Sequence, residues 1–218
     1  MIQTAFSRPW EIRTPTLTRY LEKEFTDAFF KEGRLRISSF KNFRKHADEN
    51  RGDFAEGSAS MQISTPMGSH AISAINGQEA YVLCAGTVES ASMETSFQTQ
   101  DGFRILKPLS FADAISGHIP GFIGGMEGLC HYKDSLLIAK AEPENFPPPD
   151  AFASIEEWSQ QHDSFVGNHA KEAFFLKHIK YSHQGEYRFI WFASGAEKEY
   201  IDIVCPEAIQ FCQRLTGN

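Results

Sequence analysis

The sequence predicts an α+β fold over a single domain, residues 1–218, with mixed or antiparallel sheets flanked by helices. Short alternating runs such as RLRISSF (34–40) and EYRFIWF (186–192) read as half-buried strands. The segment EKEFTDAFFKE (22–32) instead repeats its apolar residues at helical spacing. Strands and helices alternate without the regular βαβ rhythm that a parallel sheet requires.

Taken in order, TPTLTRYL predicts a first strand around residues 16–20, followed by a helix with Leu21, Phe25, Ala28 and Phe29 on one face and Gly33 as its stop. RLRISSF predicts a second strand with Leu35 and Ile37 inward. From Lys41 to Gly57 the chain is charged and aperiodic, which predicts a long loop. SASMQIST (58–65), SHAISAI (69–75) and EAYVLCAGTV (79–88), with turn signals at Pro66 to Ser69 and Asn76-Gly77, predict an antiparallel meander. A short helix near 90–97, a strand GFRILK (102–107), a helix SFADAISGH (110–118) and a strand GLCHYKDSLLI (128–138) follow, with Gly121, Gly124 and Gly125 marking a bend. The prolines of ENFPPPDAF (144–152) make a surface connector. Residues 154–178 read as mostly helical, with Ser154 as N-cap and Glu157 in capping-box position. Strands at 186–192 and 199–205 and a helix after Pro206 complete the chain.

The formal charge of -7 disfavours non-specific binding to a phosphate backbone. No apolar run approaches the roughly 18 residues of a membrane span, and the N-terminal MIQTAFSRPW lacks the regions of a signal peptide, so a cytoplasmic protein with no membrane partner is expected. Cys84, Cys130, Cys205 and Cys212 show no CxxC spacing and read as small core residues, and the eight histidines form no zinc motif, so no metal is expected. Dinucleotide, P-loop, nucleophile-elbow and kinase motifs are absent.

Three quieter features remain. Arg19-Tyr20 on the first strand offers a guanidinium that can grip phosphate and a ring that can stack on a base, or alternatively an edge arginine beside a core tyrosine. GRLRISSFKNFRK (33–45) carries Arg34, Arg36, Lys41, Arg44 and Lys45 with no acid, interleaved with Phe40 and Phe43, which suits a dinucleotide or a nucleic-acid strand, or alternatively a solvated face balanced by the acids that follow. Arg51 and Asp53 either extend a polar site or pair at the surface. Gln184-Gly185-Glu186 places a carboxylate at the opening of a strand. There it can bond a ribose hydroxyl and stabilise positive charge at the neighbouring anomeric carbon, or simply pair with Arg188.

In their order along the chain, these features resemble the ADP-ribosyltransferase superfamily. The shared parts are a first strand with Arg19 and Tyr20, a helix, a G-x-L second strand, a basic stretch, several strands, then Q-x-E opening a late strand. The strand, helix and G-x-L opening is most similar to the nucleic-acid-modifying branch, including the DNA-modifying toxins of toxin–antitoxin pairs. The stretch LKHIKYSHQGEYRFIWF also resembles a K…Y..E.EYR pattern found in uncharacterised bacterial families.

The resemblance implies a split-sheet core and NAD as substrate, with Glu186 as catalytic glutamate and Gln184 orienting the acceptor. It further implies Arg19 and Arg51 on the NAD phosphates, Tyr20 or Phe43 stacked on nicotinamide, RNA or DNA as acceptor, and an antitoxin as restraining partner or a role in phage defence. The superfamily's Ser-Thr-Ser motif has only Ser38-Ser39 as counterpart, and the first strand has no histidine. Two other readings stay open: a non-catalytic nucleic-acid or protein binding module that keeps the fold, and a hydrolase of nucleotides or phosphoesters using His178 or His183 with nearby acids.

Overall fold

The computed structural model describes residues 16–45, 57–65, 68–75, 80–87, 94–95, 97–141, 149–195 and 198–215. Strand β1 (Leu17–Tyr20) leads into helix α1 (Lys23–Glu32) and strand β2 (Arg34–Ser39). Gly33 ends α1 in the left-handed conformation (φ 74°), and its N–H bonds to Phe29 O at 2.7 Å. Leu35 and Ile37 point into the core as their alternation requires. The predicted stripe on α1 is rotated, however: Thr26 and Phe29 are buried, while Phe25 is 51% exposed and lines a cleft with Ala28. The helix lies between core and cleft, so its apolar residues divide between two faces.

The expected loop from Lys41 begins instead as helix α2 (Phe40–Lys45). Ser39 Oγ accepts from Asn42 N at 3.3 Å, and Phe40 is buried 5.5 Å from the Phe174 ring. The cap and this long-range packing override the charged composition of the segment. The meander also divides. Strands β3 (Ser58–Thr65) and β4 (Gly68–Ile75) form a hairpin in a small separate sheet, whereas β5 (Ala80–Gly86) is a central strand of the main one.

After β6 (Gly102–Ile105) and α3 (Pro108–Ser116), the glycine-rich stretch expected to bend is strand β7 (Phe122–Leu129). The predicted strand 128–138 breaks into the end of β7, β8 (His131–Lys133) and β9 (Leu137–Ala141), which belong to three different sheets. Ser154 Oγ caps helix α4 (Ile155–Ala170) by accepting from Glu157 N at 3.2 Å. That helix does not run on to residue 178, as expected. A 3₁₀ turn and strand β10 (Leu176–His178) intervene, β10 pairing in parallel with β8. The chain closes with β11 (Glu186–Ala193), β12 (Tyr200–Val204), a 3₁₀ turn over Pro206–Phe211 in place of the expected helix, and β13 (Cys212–Arg214).

The fold is α+β, built on an eight-stranded antiparallel sheet that runs β12-β2-β5-β1-β6-β13, with β11 joining β5 to β7. One face buries Leu17, Phe29, Phe103, Phe111, Phe189 and Trp191; the Phe29 and Phe103 rings stack at 4.5 Å, and Trp191 Nε1 donates to Ala112 O at 3.1 Å. The other face carries Phe40, Val82, Phe174 and Ile190. All four cysteines are free thiols, Cys130 and Cys205 buried, Cys84 and Cys212 half-buried. No helix among the described residues is long and apolar enough to cross a membrane.

Candidate active site

The site arises where the main sheet comes apart. Along one side β5 pairs with β11 over its whole length, from Glu186↔Gly86 to Phe192↔Ala80. On its other side two strands share it: β2 holds Tyr81 and Val82, and β1 holds only Gly86, through Thr18. Between them β1 and β2 diverge and leave Leu83, Cys84 and Ala85 without a strand on that side among the described residues. The guanidinium of Arg19 enters this gap and donates to Cys84 O at 2.5 Å, taking a carbonyl that a strand would otherwise use. Its Nε is buried with no hydrogen-bond partner among the described residues.

A cleft of about 1010 Å³ follows the opening. Its floor is Val82, Cys84, Ala85 and Gly86 of β5; its walls include Arg19 and Tyr20 from β1, and Arg34, Arg36 and Ser38 from β2; Phe43 of α2 and Phe25 of α1 close it. Gln184 and Glu186 complete the lining. Glu186, Gly86 and Thr18 form one row across three strands, so Glu186 lies two strand spacings, roughly 9–10 Å, from β1. Of the expected catalytic and cofactor residues, Arg19, Tyr20, Ser38, Phe43, Gln184 and Glu186 thus meet in one cavity. Arg51 lies outside the described residues. Tyr20 stacks on Phe97, with centroids 5.9 Å apart and planes at 14°. Phe97 was not singled out from the sequence, because a lone phenylalanine carries no pattern.

Glu186 is buried, 7% exposed, and bonded to two cations: Oε2 accepts from Lys177 Nζ and Oε1 from Arg188 Nε, both at 2.5 Å. Burial alone would raise its pKa, but Arg188 and Lys177 together outweigh that cost and hold the carboxyl well below its ordinary value, so it is ionised. Lys177 also donates to Gln184 Oε1 at 2.9 Å and lies 4.8 Å from the centre of the Tyr181 ring. Arg188 continues to Phe174 O at 2.6 Å. The predicted Glu186–Arg188 pair is therefore real, and Lys177 is the partner that sequence reasoning missed. Its signal was the K-x-x-x-Y-x-x-Q-x-E spacing from Lys177 through Tyr181 and Gln184 to Glu186.

The backbone at this point is fixed by Tyr132, whose hydroxyl accepts from Glu186 N at 2.7 Å and whose phenol is pushed up to about 12, chiefly by burial. Tyr132→Phe leaves that N–H without its acceptor. A loss of about 1–3 kcal/mol in unfolding free energy is expected, read from urea denaturation.

The basic segment divides. Arg34 and Arg36 line the cleft, where Arg34 pairs with Glu32 at 2.7 Å and Arg36 grips Asp202 through Nε and Nη2 at 2.8 and 2.9 Å. Lys41, Arg44 and Lys45 are carried by α2 and are not among the lining residues; Lys45 pairs with Glu199. His178 and His183 also lie outside the lining, each bonded to the backbone of Lys180 at 3.2 Å. In comparisons with protein-family models, curated proteins and solved structures, the chain matches none.

Proposed function

We propose that the chain is an NAD-dependent ADP-ribosyltransferase with RNA or DNA as acceptor, restrained in the cell by an antitoxin protein. The observation that carries this reading is the convergence of Glu186 and Gln184 with Arg19, Tyr20, Ser38 and Phe43 on one cleft at the split of the sheet.

In this reading Arg19 holds a phosphate of NAD and an aromatic ring receives nicotinamide. Each Glu186 oxygen accepts one bond from the protein and keeps a lone pair for the 2′-hydroxyl of the nicotinamide ribose. As the glycosidic bond breaks, its electron pair leaves with nicotinamide, and the ribose takes oxocarbenium character that the carboxylate stabilises. The acceptor attacks the anomeric carbon and gives its proton to solvent.

One observation favours the non-catalytic binding module as a second reading. Lys177 and Arg188 both lie on Glu186, so its field toward a developing cation is diminished. Arg19 and Lys177 both line the cleft, and cations so placed suit the holding of a polyanion.

Incubation of the wild type and Glu186→Gln with labelled NAD and a bacterial lysate separates the two, folding of the variant being checked by circular dichroism. Release of nicotinamide and label in one nucleic-acid fraction, both absent with Glu186→Gln, are the expected results. Nucleic-acid binding by the wild type without nicotinamide release would establish the binding module instead.

A further inference from the structure

Away from the cleft, where the end of α3 meets the turn after β12, His118, Cys205 and Glu207 bring their ligand atoms within 4.8 Å of one another. His118 Nε2 lies 3.3 Å from Glu207 Oε2, and the Cys205 Sγ lies within 4.8 Å of both side chains' ligand atoms. We propose that these three residues bind a zinc-class divalent ion, with the fourth coordination position left to water or an exogenous ligand.

The donor set is one thiol, one imidazole and one carboxylate, the mixture that zinc takes and that magnesium or calcium does not. Tetrahedral bonds of ordinary zinc length place ligand atoms roughly 3.3–3.8 Å apart. The His118–Glu207 separation already meets this, and the sulfur, within 4.8 Å of both, needs a movement of up to about 1.3 Å. Two of the three ligands are held by backbone rather than by the cluster itself. Cys205 N donates to Gly33 O at 2.8 Å, and Gly33 packs so tightly on the Cys205–Pro206 peptide that an added Cβ would come within 2.4 Å of it. His118 N donates to Ile115 O at 2.9 Å in the turn that ends α3.

Such fixed backbones lower the ordering cost of binding. His118 also lines a groove of about 680 Å³ along β12, with Pro120 opposite residues 198–204. An ion at the cluster would hold its exchangeable ligand beside that groove. Binding releases the thiol proton, so the thiolate balances one charge of the ion and the Glu207 carboxylate the other.

The full-length protein, freed of metal by chelator and dialysis, is titrated with cobalt(II) as the probe and then with zinc. One cobalt per chain is expected, with a near-ultraviolet thiolate-to-metal band and the visible bands of a tetrahedral ion, all displaced by zinc. Cys205→Ser should abolish the thiolate band, and His118→Ala and Glu207→Gln should each weaken binding at least about tenfold. Cys212→Ser should leave the titration unchanged. His118 and Glu207 are not buried, so their variants test the site even if Cys205→Ser fails to fold. The proposal is overturned if cobalt binds without a thiolate band, does not bind at all, or binds equally well to His118→Ala and Glu207→Gln.

Discussion

Replacing Glu186 by alanine is expected to lower the unfolding free energy by about 3–5 kcal/mol, the cost of leaving buried charge without its counter-ion. Lys177 and Arg188 are 7% and 1% exposed at the side chain, and both lie 2.5 Å from this carboxylate. The exposed Arg36–Asp202 pair, at 56% and 51%, contributes only about 0–1 kcal/mol, because solvent screens it and receives either partner when the other is removed. Urea denaturation of the Glu186→Ala protein is the measurement; a change below about 1 kcal/mol would mean that the two cations find other partners.

The same triad sets an acid limit. The Glu186 carboxyl has a folded pKa below its ordinary value of 4.5, so the unfolded chain takes up its proton first as pH falls. The stability it contributes is fully present above about pH 5 and is lost progressively below 4.5, toward the depressed folded pKa. In Glu186→Ala this part of the acid dependence should be missing, so its stability deficit should shrink as the pH is lowered from 5 toward 2.

What could be read from the sequence was what local pattern controls. β1, β2, β11 and β12 follow from alternation, Gly33 from its place after a helical run, and the placement of Glu186 at a strand opening from Gly185 before it, which is left-handed at φ 50°. The residues that the sequence hid depend on distant partners. β7 carries three glycines and has low strand propensity; it is a strand because β11 pairs with it from Tyr187 to Ala193. Lys177 falls in a run that reads as helix, yet its three-residue strand is held by β8, and only that pairing delivers its amine to Gln184 and Glu186. His118 and Cys205 meet because α3 packs on the turn after β12, a contact between segments that no spacing rule connects. The opening between β1 and β2 has the same origin: neither strand is unusual alone, and the cleft exists because both lean on one edge of β5.

Lys177 and Glu186 should therefore respond very differently to removal. Lys177→Met leaves Glu186 opposite Arg188, one charge against one, and replaces a desolvated amine by an apolar chain of similar length that packs on Tyr181. Its expected cost is about 1–3 kcal/mol, chiefly from the buried Gln184 Oε1 that loses this donor. Glu186→Gln leaves both cations, whereas the double variant leaves only Arg188, which keeps its bond to Phe174 O. The double variant should thus be more stable than Glu186→Gln alone, with a coupling energy of about 0.5–3 kcal/mol in a double-mutant cycle. This recovery separates the two roles of the carboxylate. If Glu186 acts on the ribose of NAD, nicotinamide release stays lost in the double variant although the fold is restored, by about 10²–10³-fold on the scale of removing one preorganised electrostatic group. If release returns together with stability, Glu186 serves only to neutralise buried charge, and the catalytic assignment falls.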